Sequence, residues 1–332
     1  MFRWSAAILV SAAFILPVDS AAEERAAGRA TQSTVPGTPL ERREVEDSLG
    51  RKITYYISQP KQAPAPILLM LQGSGCARVI NEQRGSSFST VFNLIPFAQD
   101  GRFTVVAIEK PHSMTAGQGG SAGSSRQCSA EFNEDFTAER WLVAIRAALD
   151  DAKKAAWVDA RRTLAFGFSE GAVMGSLLAG QDSSVTDVVS ISGSGTTQLF
   201  DFIVLAYQHC FNSAECLADV DRNLKDINSD PNSATRFAWG HAYKRWTSFF
   251  RVDPGAELLR SKARVYMAFG TADQNVPALS AEHAVARLRI VGRDVTVRRI
   301  PDAGHSLARS SDGNWNALDK EFRAALDWFW QR

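Results

Sequence analysis

The chain has 332 residues, 45% of them hydrophobic and 22% charged, with a formal net charge of +1. That apolar content supports a sizeable globular core, and the length fits one large α/β domain with an insertion or two small domains. The near-zero charge gives no sign of nucleic acid or an anionic membrane surface as a partner.

The first residues read as a targeting segment. Arg3 supplies a positive charge, Ala6 to Leu16 is a short apolar run followed by Pro17, and Ser20-Ala21-Ala22 offers small residues for cleavage. This is the layout of a secretory signal peptide over residues 1–22. The run is too short for a stable membrane span, with an uncleaved anchor as the alternative. Residues 23–40 are polar and rich in Ala, Gly, Thr and Pro, as in a flexible mature N-terminus. The expected location is periplasmic or secreted. Four cysteines in an exported chain fit two disulfides. Three pairings exist; closeness in sequence favours Cys210 with Cys216, which leaves Cys76 with Cys128.

The body of the chain alternates strand and helix patterns. Arg42 to Asp47 and Lys52 to Ser58 alternate apolar and polar residues around a turn, as in an antiparallel hairpin. Ile67 to Leu71 is a continuous apolar run, expected of a strand buried on both faces, and it ends in Gln72-Gly73-Ser74-Gly75-Cys76. A helix is expected over Ser89 to Asp100, a strand over Phe103 to Ile108, and one long helix over Phe136 to Ala156. Between them, His112 to Ser129 is Gly/Ser-rich without periodicity, and a loop of that length is usually functional or mobile.

Thr163 to Gly175 reads strand, turn, helix, with Gly167-Phe168-Ser169-Glu170-Gly171 at the turn. This context makes a G-x-S-x-G pattern informative, because the sharp turn lifts the Ser hydroxyl above the sheet edge. Val185 to Ile191 is the next strand. Residues 196–263 then turn helical and aromatic, and read as a helical cap inserted between two core strands. Arg264 to Phe269 resumes the sheet, followed by a helix over Ala278 to Ile290, a strand over Asp294 to Ile300 and a last helix over Asn316 to Trp330. The alternation predicts an α/β fold: a mostly parallel twisted sheet with helices on both faces and a helical cap. In such sheets the site lies at the carboxyl ends of the strands.

A Ser hydroxyl needs a base within hydrogen-bond reach, and the base needs an orienting acid. Of the five histidines, His305 follows the last strand; His112, His209, His241 and His283 lie before Ser169, in the cap or on a helix. His209 and His241 stay possible substrate contacts. Asp273 follows the Arg264 to Phe269 strand and is the expected acid; Asp302, three residues from His305, reads as a turn residue. The expected oxyanion donors are the backbone N–H groups of Glu170 and Ser74, with Gly75 as a substitute for the second.

On Gln72-Gly73-Ser74-Gly75, Gly167-Phe168-Ser169-Glu170-Gly171, Gly270-Thr271-Ala272-Asp273 and Gly304-His305, the chain resembles the α/β-hydrolase superfamily of serine hydrolases from roughly Arg42 to Arg332. The pattern is similar to secreted esterases of the dienelactone-hydrolase type and to peptidases on the same fold. The order Ser169, Asp273, His305 is the one that fold uses. The resemblance implies an eight-stranded sheet, acyl-enzyme chemistry and no cofactor or metal. Many members have His-Gly where this chain has Gln72-Gly73, and Ser169 argues against the branches with an Asp nucleophile. The aromatic cap and the lack of a visible basic cluster favour a small apolar or aromatic ester. A thioester or a short peptide uses the same machinery, and an aminopeptidase would bind the substrate amine through Glu109, Glu170 or a cap Asp. A non-catalytic binding protein or an interaction module is the reading from a different class, against which the full Ser-Asp-His order argues.

Overall fold

The apolar runs of the sequence become the strands of a single nine-stranded sheet. The computed structural model describes residues 33–331 apart from 84, 116, 118 and 310–315. The expected signal peptide, residues 1–22, and residues 23–32 lie outside the described residues.

In chain order the first half comprises β1 (Ser33–Thr34), β2 (Leu40–Glu46), β3 (Lys52–Ser58), β4 (Ala65–Leu71), a hairpin of β5 (Ile80–Gln83) and β6 (Ser86–Ser89), α1 (Leu94–Asp100), β7 (Thr104–Ile108), α2 (Ala130–Asp135) and α3 (Ala138–Ala152). Next come β8 (Val158–Phe168), α4 (Glu170–Gln181), β9 (Val185–Ile191), α5 (Gln198–His209), α6 (Ser213–Ser229), a two-strand ribbon of β10 (Phe237–Ala238) and β11 (His241–Ala242), and α7 (Tyr243–Phe249). The chain closes with α8 (Pro254–Arg260), β12 (Arg264–Gly270), α9 (Ala278–Ile290), β13 (Val295–Ile300) and α10 (Asn316–Trp330).

The sheet order is β1-β2-β3-β7-β4-β8-β9-β12-β13. From β7 to β13 every neighbouring pair is parallel, whereas β1, β2 and β3 add an antiparallel edge. Residues of β4 show why the run is continuous rather than alternating. All seven are buried; Ile67, Leu69 and Leu71 enter one core with α3, α4, α8 and α9, while Leu68 and Met70 enter the other with α1 and α10. Apolar side chains are therefore required on both faces.

Four expectations differ in detail. The ninth strand is Ser33–Thr34, which pairs with Arg42 and Glu41. The end of the expected flexible segment is thus tied to the sheet edge, because Val35 and Leu40 are buried in the second core. The helix expected over Phe136 to Ala156 spans only Ala138–Ala152, since Phe136 is extended and the Thr137 side chain accepts from Arg140 N–H to cap it, and a short helix not expected from the sequence, α2, precedes it. The helix expected from Ser89 begins only at Leu94, after Asn93 in the left-handed region at φ 60°, a conformation Asn tolerates. In the insertion, α5, α6 and α7 surround a third apolar cluster of Ile227, Ala238, Tyr243 and Trp246, but α8 packs on α4 and α9 and so belongs to the core layer. Among the described residues no helix is long and apolar enough to cross a membrane.

Both cysteine pairs are bonded: Cys76 with Cys128 and Cys210 with Cys216. Two disulfides fit a chain that matures in an oxidising compartment. The first closes a loop with a sequence separation of 52. On chain-entropy grounds, the double variant Cys76→Ala/Cys128→Ala should lose about 4 kcal/mol of stability, read as a lower denaturant midpoint with a larger m-value, because the unfolded chain loses its cross-link and exposes more surface.

Candidate active site

Ser169 stands between the last residue of β8 and the first of α4, with φ 55° and ψ −121°. Such a conformation costs a residue with a Cβ on the order of 1–3 kcal/mol, and the surrounding structure must enforce it. Two glycines do so by letting strand and helix close on each other. A Cβ at Gly167 would lie 2.2 Å from the carbonyl of Gly171, and one at Gly171 would lie 2.1 Å from the Leu71 carbonyl oxygen. The Ser169 N–H donates to the Ile191 carbonyl at 3.0 Å, which fixes the turn to β9.

Two other strand ends bring their side chains to this hydroxyl. Asp273 follows β12 and His305 follows β13. The Ser169 Oγ is 3.1 Å from His305 Nε2, and His305 Nδ1 is 2.8 Å from Asp273 Oδ2. The other oxygen of the Asp273 carboxylate accepts the N–H groups of Asn275 and Val276 at 2.8 and 3.1 Å. The carboxylate is fully buried and rigidly aimed. The His305 loop is held in turn by the Ser192 hydroxyl, which donates to the His305 carbonyl at 2.8 Å. With Nδ1–H donated to Asp273, the Nε2 lone pair faces Ser169. Asp302 is exposed at φ 58° and its N–H donates to the Thr271 hydroxyl, the turn role expected of it. His112, His209 and His283 are exposed.

The loop after β4 passes beside the Ser: a Cβ at Gly73 would stand 3.7 Å from Ser169 Cβ. Glu170 opens α4, so its N–H is among the first-turn donors that have no partner within the helix. The loop is braced by the long Gly/Ser-rich segment, with Cys76 N–H donating to the Ser121 carbonyl and Gly123 N–H to that of Ser74. The Cys76–Cys128 disulfide joins the same two loops.

A cavity of about 390 Å³ opens over Ser169 and His305. Its walls combine the Ser74 loop, Ala122 and Gly123 of the long loop, and the cap aromatics Phe202, Trp239 and Trp246. The last three pack on one another with ring centroids 4.4 to 5.9 Å apart. His241 also lines the cavity, and burial holds its imidazole well below the usual pKa, hence neutral. Asp201 lies in the wall as well. Burial pushes its carboxyl up to about 6, while Ser194, Ser280 and Thr196 hydroxyls favour the charged form.

Two charged residues beside this cavity were not expected from the sequence. Lys110, at the carboxyl end of β7, is completely buried and donates to Glu170 Oε1 at 2.7 Å. Arg245 of α7, also buried, donates to Glu170 Oε2 at 2.6 Å and to the Gln198 side chain at 3.2 Å. Burial raises the Glu170 carboxyl pKa, but the two cations outweigh it and hold the group at about 2. The Glu170 carboxylate, one of the candidates for a substrate amine under the aminopeptidase alternative, is therefore consumed by a buried ion cluster. Glu109 is also buried, accepting from Val79 and Ile80 N–H, Ser113 and Tyr56. The signal for Lys110 was its place directly after a buried strand, at the sheet end where sites form. Arg245 carried none, since its partner is 75 residues away. Among the described residues no group of three or more His, Cys, Asp or Glu is placed to hold a metal ion.

Solved structures share this architecture. An acylaminoacyl peptidase from Pyrococcus horikoshii superposes at TM-score 0.60 with 13% identity, covering 88% of this chain and 42% of its own. A puromycin-hydrolyzing peptidase from Mycobacterium tuberculosis gives 0.55 at 15%, covering 87% and 38%. The acetyl xylan esterase from Paenibacillus sp. R4 gives 0.57 at 18%, covering 90% and 88%. The chain thus spans about two fifths of the length of the peptidases and nearly all of the esterase. Among curated proteins, none matches the chain. These likenesses define an α/β-hydrolase fold. Residues 68–315 match the alpha/beta hydrolase family model, and the chain belongs to that family.

Proposed function

We propose that the protein is a serine hydrolase that cleaves a small carboxylic ester through Ser169, His305 and Asp273. The observation that carries this reading is the hydrogen-bonded chain from Ser169 Oγ through both His305 nitrogens to Asp273. In the first step His305 Nε2 takes the Ser169 proton as Oγ attacks the acyl carbonyl. Asp273 fixes the tautomer and stabilises the imidazolium that forms. The developing oxyanion lies between the N–H groups of Ser74 and Glu170. His305 then protonates the leaving alcohol, and water, activated by the same imidazole, releases the acid from Ser169. The cysteine pairs support export to the periplasm or beyond, where the substrate would be met.

An ester is favoured over a peptide with a free amine by what the acidic residues do. Glu170 and Glu109 are engaged inside the protein, and Asp201 is capped by hydroxyls. None presents an open carboxylate to an ammonium group. The aromatic wall fits an apolar acyl or alcohol group. Assayed side by side, p-nitrophenyl esters of short acids should turn over with kcat/KM at least about 10²-fold above aminoacyl p-nitroanilides, a gap near 2.7 kcal/mol. Faster cleavage of the anilides would replace the esterase reading with an aminopeptidase one.

A further inference from the structure

Lys110 lies under the site, and every proton on its ammonium is assigned. Nζ donates to the Gly73 carbonyl at 2.7 Å, the Gly75 carbonyl at 3.1 Å and Glu170 Oε1 at 2.7 Å. These three acceptors match the three donors of an ammonium group. The side chain is fully buried and its Nζ sits 4.7 Å from the centre of the Phe136 ring. A lone buried cation is costly, and this one is kept by a carboxylate and two peptide oxygens.

The Gly73 carbonyl and the Ser74 N–H belong to one peptide unit. In a trans peptide the C=O and N–H point in opposite directions. Holding the Gly73 oxygen against a buried ammonium therefore aims the Ser74 N–H away from Lys110. It also forbids the peptide flip that would replace that donor with a carbonyl. A cation on the carbonyl oxygen polarises the amide as well, so its N–H becomes a better donor in a site shielded from water. The Glu170 contact ties the same ammonium to the residue that supplies the other donor. Arg245 and Gln198 extend the chain into the cap helices.

We infer that Lys110 is a positioning residue for the oxyanion hole: it orients and polarises the Ser74 N–H through the Gly73 carbonyl and locks it in register with Glu170. This rests on the proposed hydrolase reading and specifies how its anion-binding half is assembled. The ion cluster makes the test practicable, because Lys110→Met leaves Glu170 still paired with Arg245.

Lys110→Met and Lys110→Gln are assayed on a p-nitrophenyl ester, with inhibition by a phenylboronic acid, whose adduct on Ser169 is tetrahedral. Near-UV circular dichroism checks the fold, and Ser169→Ala is run alongside. The expected result for Lys110→Met is a kcat lower by about 10²-fold, boronate affinity reduced by a similar factor, and KM within about threefold of the parent. Lys110→Gln, which keeps one donor for the Gly73 carbonyl, should fall between. Unchanged kcat and boronate affinity would overturn the inference. So would a loss confined to KM, or failure of both variants to fold, which would make Lys110 a purely structural group. An inactive Ser169→Ala beside a fully active Lys110→Met refutes the role of Lys110 alone, whereas a fully active Ser169→Ala refutes the hydrolase reading itself.

Discussion

Ser169→Ala should lower kcat on an activated ester by about 10⁶-fold, leaving only the residual rate that binding and the oxyanion donors provide. The size follows from the geometry. Without Oγ there is no atom on which an acyl group can rest, and His305 and Asp273, 2.8 Å apart, have no proton to transfer to a leaving group by this route. Fold stability should not fall. The Ser169 backbone keeps its hydrogen bond to Ile191, and Ala at φ 55° carries the same strain as Ser. A melting temperature equal to that of the parent, beside a lost burst of p-nitrophenol, separates the loss of chemistry from a loss of fold.

Asp273→Asn should cost about 10⁴-fold in kcat with little change in KM. Asn can still accept the N–H groups of Asn275 and Val276 through its carbonyl oxygen, so the loop holds its shape. Its NH₂ group then faces His305 Nδ1. Two donors cannot share that contact, so the imidazole takes the other tautomer and Nε2 carries the hydrogen. It can no longer accept the proton of Ser169. Steady-state kinetics on one ester reads the effect. A loss under about tenfold would mean that another carboxylate supports His305, with Asp302 the first to examine.

Much of this was legible in the sequence because the informative signals are local. The turn around Ser169 is written by Gly167 and Gly171, and strand ends announce themselves as apolar or alternating runs that give way to polar, Gly or Pro residues. Ser169, Asp273 and His305 each stand at such an end, and the sheet order places β8, β12 and β13 close enough to bring them together. What stayed hidden depends on contacts between distant segments. Lys110 reads as a charged residue after a strand, and Arg245 as one basic residue among aromatics. Only folding puts both on the carboxylate of Glu170. That carboxylate looked available in the sequence for the same reason: its partners are 60 and 75 residues away. The edge strand at Ser33–Thr34 is too short and polar to show a pattern, and Val35 is buried only because Leu40 and the second core lie beside it. The start at Thr137 was readable in principle, since Thr before Ala-Glu-Arg is an N-cap sequence. Apolar Phe136 just before it drew the expected helix start too early.

Everything proposed for the site depends on Ser169 being the activated nucleophile. Treating the purified protein with a fluorophosphonate probe and mapping the adduct by peptide mass spectrometry tests it directly. One adduct is expected, on Ser169, formed at a rate that collapses in Asp273→Asn. No adduct, or an adduct on another residue with Ser169 unmodified, would contradict it.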